Sequence, residues 1–384
     1  MQISVTDPVL QTSLFVALLT LAVVLTVKRR AVSSALDITF TNELRGVAIL
    51  MVIFSHVGYF LFSDHRFMYP LSVAGGKGVD IFLLLSGFGL TASALKSRMI
   101  LKDFYIKRLK KIYIPMWVVL GIFLVLDLLI LSRHYSLRTI VYNLLGWFPR
   151  ADVGLDVDSP LWYFTIILFY YLVFPIFFSG RWPLLSAILI LILGRFVIGL
   201  NLPMVTDVAK LYKLHYMAFP LGMCLAILSG RRGGFRSILV AGPRPAARDF
   251  FEQLRNPPRA ATLFAKLIAI ITALYLFGFL SINSGVGEGN PLKEQLVSLA
   301  ALGCLLFVFF LKRVCSRFLT LLGIYSYEIY LIHWPIMYRY DFLYHRLPAS
   351  LATFLYLVIF VALGAVLKAL TGRLYEISSS RTKN

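Results

Sequence analysis

The chain has 384 residues, of which 59% are hydrophobic and 15% charged. Water-soluble domains carry about 25% charged residues, so this composition excludes a single soluble core and points to lipid as the solvent. The net charge of +20 raises nucleic acid as a partner, but the placement of the charge assigns it to membrane orientation, and no nucleic-acid partner is expected.

A bilayer span needs roughly 20 mostly apolar residues. Eleven runs qualify: 8–27, 46–63, 79–95, 112–131, 161–178, 183–200, 212–229, 263–283, 295–311, 319–338 and 350–370. Backbone polar groups in lipid must be satisfied within their own segment, so each run is expected to be a helix. The expected fold is therefore an all-α integral membrane protein of about eleven transmembrane helices. If the first span runs from outside to inside, 27 Lys and Arg fall in inner segments and 10 in outer ones, with Arg195 inside a span. The positive-inside rule then places the N-terminus outside and the C-terminus inside. No Lys or Arg precedes the first span and no small-residue cleavage site follows it, so it reads as a retained helix rather than a signal peptide. Cys224, Cys304 and Cys315 give neither a disulfide framework nor the spacing of a zinc site, and no metal is expected.

Ionisable residues within spans are costly and mark functional candidates. They are His56, Asp80, Asp127, Arg195, His215, Glu328 and His333. Arg45 and His56 are eleven residues apart, about three helical turns, so they share a face with His56 ~16 Å deeper. A neutral imidazole at that depth can serve as a general base or as a structural bond to a neighbouring helix. The next span opens with Gly78-Val79-Asp80 and continues to Ser86-Gly87-Phe88; its small residues permit close helix packing. Phe104 to Pro115 carries Lys107, Arg108, Lys110 and Lys111, a basic cluster that anchors the inner face or draws a polyphosphate ligand. The outer segment 132–160 holds Asp152, Asp156 and Asp158 beside Trp147; it reads as a sugar-facing loop or as a solvated one. The Arg-, Pro- and Gly-rich stretch 230–262, with a possible short helix at Ala247–Arg255, reads as an anchor on anionic lipid or as a lid over a cytoplasmic ligand. In the span 319–338, Glu328 lies about as far from the inner edge as His56, which suggests a carboxylate beside the imidazole.

Four of these segments together resemble the membrane acyltransferase-3 family over roughly residues 39–370. Arg45-Gly46-Val47-Ala48 with His56 fits its R-x10-H signature. Gly78-Val79-Asp80-Ile81-Phe82 with Leu85-Ser86-Gly87-Phe88 is similar to its G-V-D-x-F-F-x-x-S-G-F segment. Phe104 to Pro115 looks like its basic segment ending in proline, and Ser326-Tyr327, Tyr330-Leu331, His333 and Pro335 resemble its S-Y-x-x-Y-L-x-H-x-P segment. The resemblance implies a ten-helix core with residues 1–38 as an added helix and linker, a domain over 39–370, and a cytoplasmic tail at 371–384. It also implies a bacterial inner (plasma) membrane location, an acyl-CoA donor (acetyl-CoA above all), and a carbohydrate acceptor, either a polysaccharide or a lipid-linked oligosaccharide, beside the bilayer itself. In that scheme His56 is the catalytic base with Arg45 beside it, and the charge and depth of Glu328, rather than the resemblance, add it to the catalytic set. Arg108, Lys107, Lys111 and Arg45 hold coenzyme A, and Asp80, Ser86, Trp162 and His333 face the acceptor. The chain departs from the family at 161–175, where an acidic pair is replaced by Ile167 and Leu168; Glu328 is placed to supply the missing acid. This pattern resembles a branch of exopolysaccharide acyl- and succinyltransferases. The hydrolase-like domain fused to some members is expected to be lacking. The competing class is a polysaccharide or lipid-linked-sugar transporter, which would favour paired ionisable groups in two inverted halves.

Overall fold

The computed structural model describes residues 3–29, 37–61, 66–97, 99–148, 156–158, 161–200, 206–230, 261–284 and 289–380. Most of the 230–262 segment, including Ala247–Arg255, lies outside the described residues, as does Asp152. The described chain is nearly all helical. In order, its helices are α1 Pro8–Leu25, α2 Ile38–His56, α3 Gly75–Lys96, α4 Leu101–Leu131, α5 Leu137–Leu145, α6 Trp162–Phe177, α7 Pro183–Gly199, α8 Thr206–Tyr212 and α9 Ala218–Gly230; then α10 Ala261–Ile282, α11 Pro291–Leu311, α12 Arg317–Ile324, α13 Ser326–Arg339 and α14 Ala349–Ser380.

Each of the eleven expected runs overlaps helix, although 212–229 opens with the turn residues 213–217. Seven helices among the described residues are long and apolar enough to cross a membrane: Pro8–Leu25, Ile38–Leu61, Leu71–Lys96, Leu101–Leu131, Phe264–Ile282, Pro291–Leu311 and Ala349–Glu376. Three more apolar helices are shorter, Trp162–Phe177, Pro183–Gly199 and Ala218–Ser229. The run at 319–338 is not one helix. It breaks at Tyr325 into α12 and α13, and Lys368 Nζ donates to the Ile324 carbonyl at 2.7 Å, satisfying an acceptor that the break frees. The chain is a multi-pass membrane protein.

A second departure is a two-stranded clip. β1 Val27–Arg29 pairs antiparallel with β2 Val314–Ser316, tying the end of α1 to the start of α12. Buried Glu43 completes the clip: its Oε1 accepts from the Ser316 amide at 2.8 Å and its Oε2 pairs with Lys312 Nζ at 2.7 Å. Strands of three residues leave no periodic signature in a sequence dominated by apolar runs.

Two pairs of glycines set the packing that matters for function. A Cβ on Gly46 would collide with the Leu319 carbonyl, and one on Gly323 with the Asn42 carbonyl, so α2 and α12 touch backbone to backbone. Likewise a Cβ on Gly87 would strike the Phe219 carbonyl and one on Gly222 the Leu84 carbonyl, locking α3 to α9. Small residues permit such approach where lipid supplies no hydrophobic force between helices. From the first contact, His56 and His333 each lie ten residues onward; from the second, Asp80 and His215 each lie seven residues back. Equal offsets along segments running the same way bring each pair together, although His215 sits in the turn 213–217 and His333 beyond the break at Tyr325.

At the other end of α4, Asp127 is fully buried and holds the outer segment. It pairs with Arg339 and accepts from Tyr135 and Tyr340 hydroxyls at 2.5 Å each. Arg339 also donates to the Val157 carbonyl, and Asp158 next to it is 1% exposed. Asp158 is therefore not a solvated side chain.

Candidate functional site

A cavity of 1160 Å³ runs between α2, α3, α4, α6 and the α12–α13 break. This exceeds the roughly 300–1,000 Å³ usual for a pocket holding one small ligand, so there is room for parts of two substrates. Arg45, Arg108, Lys110, Lys111 and Lys368 line one end. They crowd: Arg108, Arg45, Lys368 and Glu328 all act electrostatically on Lys111. The Arg108 guanidinium is steered by the rings of Phe104 and Tyr171, at 5.9 and 5.8 Å from their centroids. Several cations answered by few carboxylates give this end a net positive charge. Lys107 does not belong to it. That side chain is exposed and outside the cavity lining, one turn before Lys111 on α4.

His56 lines the same cavity, eleven residues beyond Arg45 and so ~16 Å along the helix. Its ring nitrogen Nδ1 lies 2.8 Å from His333 Nε2, and the two rings are parallel to within 9°. On its other side His333 Nδ1 approaches the carbonyls of Tyr330 at 2.9 Å and Ile329 at 3.1 Å. Carbonyls only accept, so His333 carries its proton on Nδ1 and offers Nε2 as an acceptor. His56 must then donate from Nδ1, which leaves its Nε2 with a bare lone pair. One histidine thus fixes the tautomer and orientation of the other. The rings of Trp334 and Phe60 enclose His56 at centroid distances of 5.6 and 6.2 Å.

Two sequence-predicted residues have other surroundings than expected. His333 is fully buried, outside the cavity lining and bonded to His56. Glu328 lies five residues before His333 on α13, ~7.5 Å lower along the axis, and its charged neighbours are Lys368 and Lys111. The carboxylate expected beside His56 is a second imidazole, and Glu328 belongs to the cationic end.

The remaining candidates divide in the same way. Ser86 and Trp162 line the cavity, and Ser86 shares a hydrogen bond with the Tyr163 hydroxyl. Asp80 is fully buried and does not reach the cavity. It holds His215 instead, at 2.8 Å from His215 Nδ1, while Ser298 Oγ donates to its other oxygen at 2.8 Å. His215 is in the wall, and Trp162 stacks on it at 5.9 Å. Sequence reasoning noted His215 as an intramembrane ionisable residue without a role, placed Lys110 in the basic cluster without singling it out, and missed Lys368. Ile167, at the place of the family's acidic pair, is buried in the apolar core and borders the cavity.

The described residues thus form a helical bundle whose cavity is lined by His56 and His215 and is cationic at one end. A family model described as an acyltransferase domain matches residues 40–370, and the chain belongs to that family, acyltransferase-3. It is an acyltransferase. No curated protein and no solved structure matches the chain significantly.

Proposed function

We propose that the protein is a membrane O-acyltransferase that moves an acyl group, acetyl by preference, from acyl-CoA to a hydroxyl of a cell-envelope or exported polysaccharide or glycolipid. The observation that carries this reading is the bare Nε2 of His56 in a cavity whose other end gathers Arg45, Arg108, Lys110, Lys111 and Lys368. Coenzyme A carries phosphates at one end and its thioester at the other, so phosphates held by the cations leave the pantetheine arm to reach toward His56. The Nε2 lone pair is the base of the reaction, toward the acceptor's proton in a one-step transfer or toward the acyl carbon in a two-step one. Trp162 and Ser86 face the acceptor. Lys and Arg placement supports a cytoplasmic entry for the donor and an N-out, C-in arrangement in a bacterial inner membrane.

Mass spectrometry of cell-surface glycans with and without the gene tests this. A mass gain of one acyl group that depends on the gene supports the reading. Identical glycans, with the protein present in the membrane, would remove it.

A further inference from the structure

The transfer proposed above uses one imidazole, and the cavity wall carries two. His215 donates from Nδ1 to Asp80 Oδ1 at 2.8 Å. Asp80 Oδ2 is filled by the Ser298 hydroxyl at 2.8 Å, so the carboxylate is fully committed and the Nδ1–H tautomer is fixed. His215 Nε2 makes no hydrogen bond among the described residues, and the ring lines the cavity that His56 lines. The two histidines are neighbours across one short piece of backbone: a Cβ on Gly75 would collide with Ser55, the residue before His56, and one on Gly76 would stand 3.4 Å from His215 Cε1. Lys77, the next residue, is pinned by the Ser284 hydroxyl at 3.1 Å and the Ser281 carbonyl at 3.4 Å and lies in the same lining.

The chemistry of His56 gives the second imidazole a task. Its Nδ1 is committed to His333, so Nε2 is its one reactive nitrogen. If Nε2 carries the acyl group, His56 has no lone pair left to take the acceptor's proton. We propose that His215 is a second catalytic residue, the base that deprotonates the acceptor hydroxyl, and that His56 is the acyl carrier of a two-step transfer. This rests on the acyltransferase reading above. In the first step His56 Nε2 attacks the thioester carbon, the C–S bond breaks and coenzyme A leaves as the thiolate among the cations. In the second step the acceptor oxygen attacks the acyl carbon while its proton passes to His215 Nε2. The C–N bond breaks, its electron pair returns to His56, and the proton on His215 goes on to the thiolate or to water. Asp80 is the positioning residue, holding the imidazole and balancing its charge.

The test separates the two steps in the full-length protein, purified in detergent. Radiolabelled coenzyme A is mixed with unlabelled acetyl-CoA, and in parallel with succinyl-CoA, without acceptor; a separate sample receives acyl-CoA labelled in the acyl group, to read acyl label on the protein. A carrier mechanism exchanges label into the thioester. Glycan acylation in cells is measured alongside. Wild type is expected to exchange. His215→Gln should lower glycan acylation at least ~100-fold, the lower range for lost general-base assistance, yet keep exchange within about threefold and accumulate acyl label on the protein. Retained exchange also reports that this variant is folded. Asp80→Asn should show the same split to a smaller degree, and His56→Gln should lose both reactions and carry no label. An active wild type that shows no exchange overturns the proposal, as does a His215→Gln that acylates glycans normally or loses exchange and acylation together. If wild type neither exchanges nor acylates, the acyltransferase reading itself fails, which is a different result.

Discussion

His333 is the residue whose replacement most directly probes how the site works. Its Nε2 accepts the His56 Nδ1 proton at 2.8 Å, and the His333 side chain is fully buried. His333→Phe keeps a planar ring, somewhat larger, and removes the acceptor. A buried donor left without its partner costs about 1–3 kcal/mol, and at ~1.4 kcal/mol per decade this corresponds to roughly 5- to 150-fold. The cost falls on the tautomer with Nε2 bare, since the other tautomer has no proton on Nδ1 to leave unpaired. The expected result is a loss of that size in kcat/KM with the KM for acyl-CoA little changed, because the cationic end is untouched. His333→Gln, whose amide oxygen can accept from the same side, should recover part of the loss. Imidazole nitrogen NMR on protein labelled at histidine reads the tautomer independently of turnover. A His333→Phe protein with wild-type kcat/KM, or with the His56 nitrogen signals unmoved, would refute the relay from backbone carbonyl to His333 to His56.

Other expectations follow from single features. Arg108→Ala should raise the KM for acyl-CoA by about 10- to 150-fold, from the ~1.5–3 kcal/mol of a charge-assisted hydrogen bond, and leave the acceptor's KM in place; steady-state kinetics decides, and an unchanged donor KM assigns Arg108 to orientation alone. Glu328→Gln should change donor KM and leave the pH profile of kcat/KM where it was, since its charged neighbours are Lys368 and Lys111; a moved profile would restore it as a partner of His56. Gly323→Ala drives a methyl into the Asn42 carbonyl, whereas Gly278 has open space around it. Overpacking of this kind costs about 1–3 kcal/mol, so Gly323→Ala should melt lower and transfer more slowly than Gly278→Ala; equal behaviour would mean that α12 can shift freely. Burial pushes the Asp158 carboxyl well above its ordinary 3.8, so ionisation in the unfolded chain opposes folding once pH rises above that value. Asp158→Asn should therefore raise the melting temperature at pH 7, and the gain should shrink toward zero below about pH 4, where the unfolded carboxyl is also protonated.

The helices were legible because lipid imposes a simple rule: each run of apolar residues must satisfy its own backbone. Two runs are not continuous helix: 212–229, which opens with the turn residues 213–217, and 319–338. In the latter Gly323 has to enter the α2 backbone, and the chain breaks two residues later at Tyr325. Arg45 and His56 were readable as a pair because they share one helix and helical spacing relates them. The partners of His56 and His215 were not, because they lie 277 and 135 residues away and no local periodicity connects residues on different helices. Depth alone matched His56 to Glu328, when the height of α13 is in fact set by the Gly46–Gly323 contact. The basic run marks a helix end, but only the packing of α4 decides which of its cations turn inward, so the sequence could not tell Lys107 from Lys110 and Lys111, which line the cavity.

The central claim is that acyl transfer passes through His56 in the cavity. Its most direct test is to replace the chromosomal copy with His56→Gln and measure acyl groups on surface glycans by mass spectrometry, with membrane level and melting temperature of the variant checked against wild type. The account predicts that the acyl mass disappears while protein level and melting temperature hold. Acyl mass persisting at the wild-type level would contradict it.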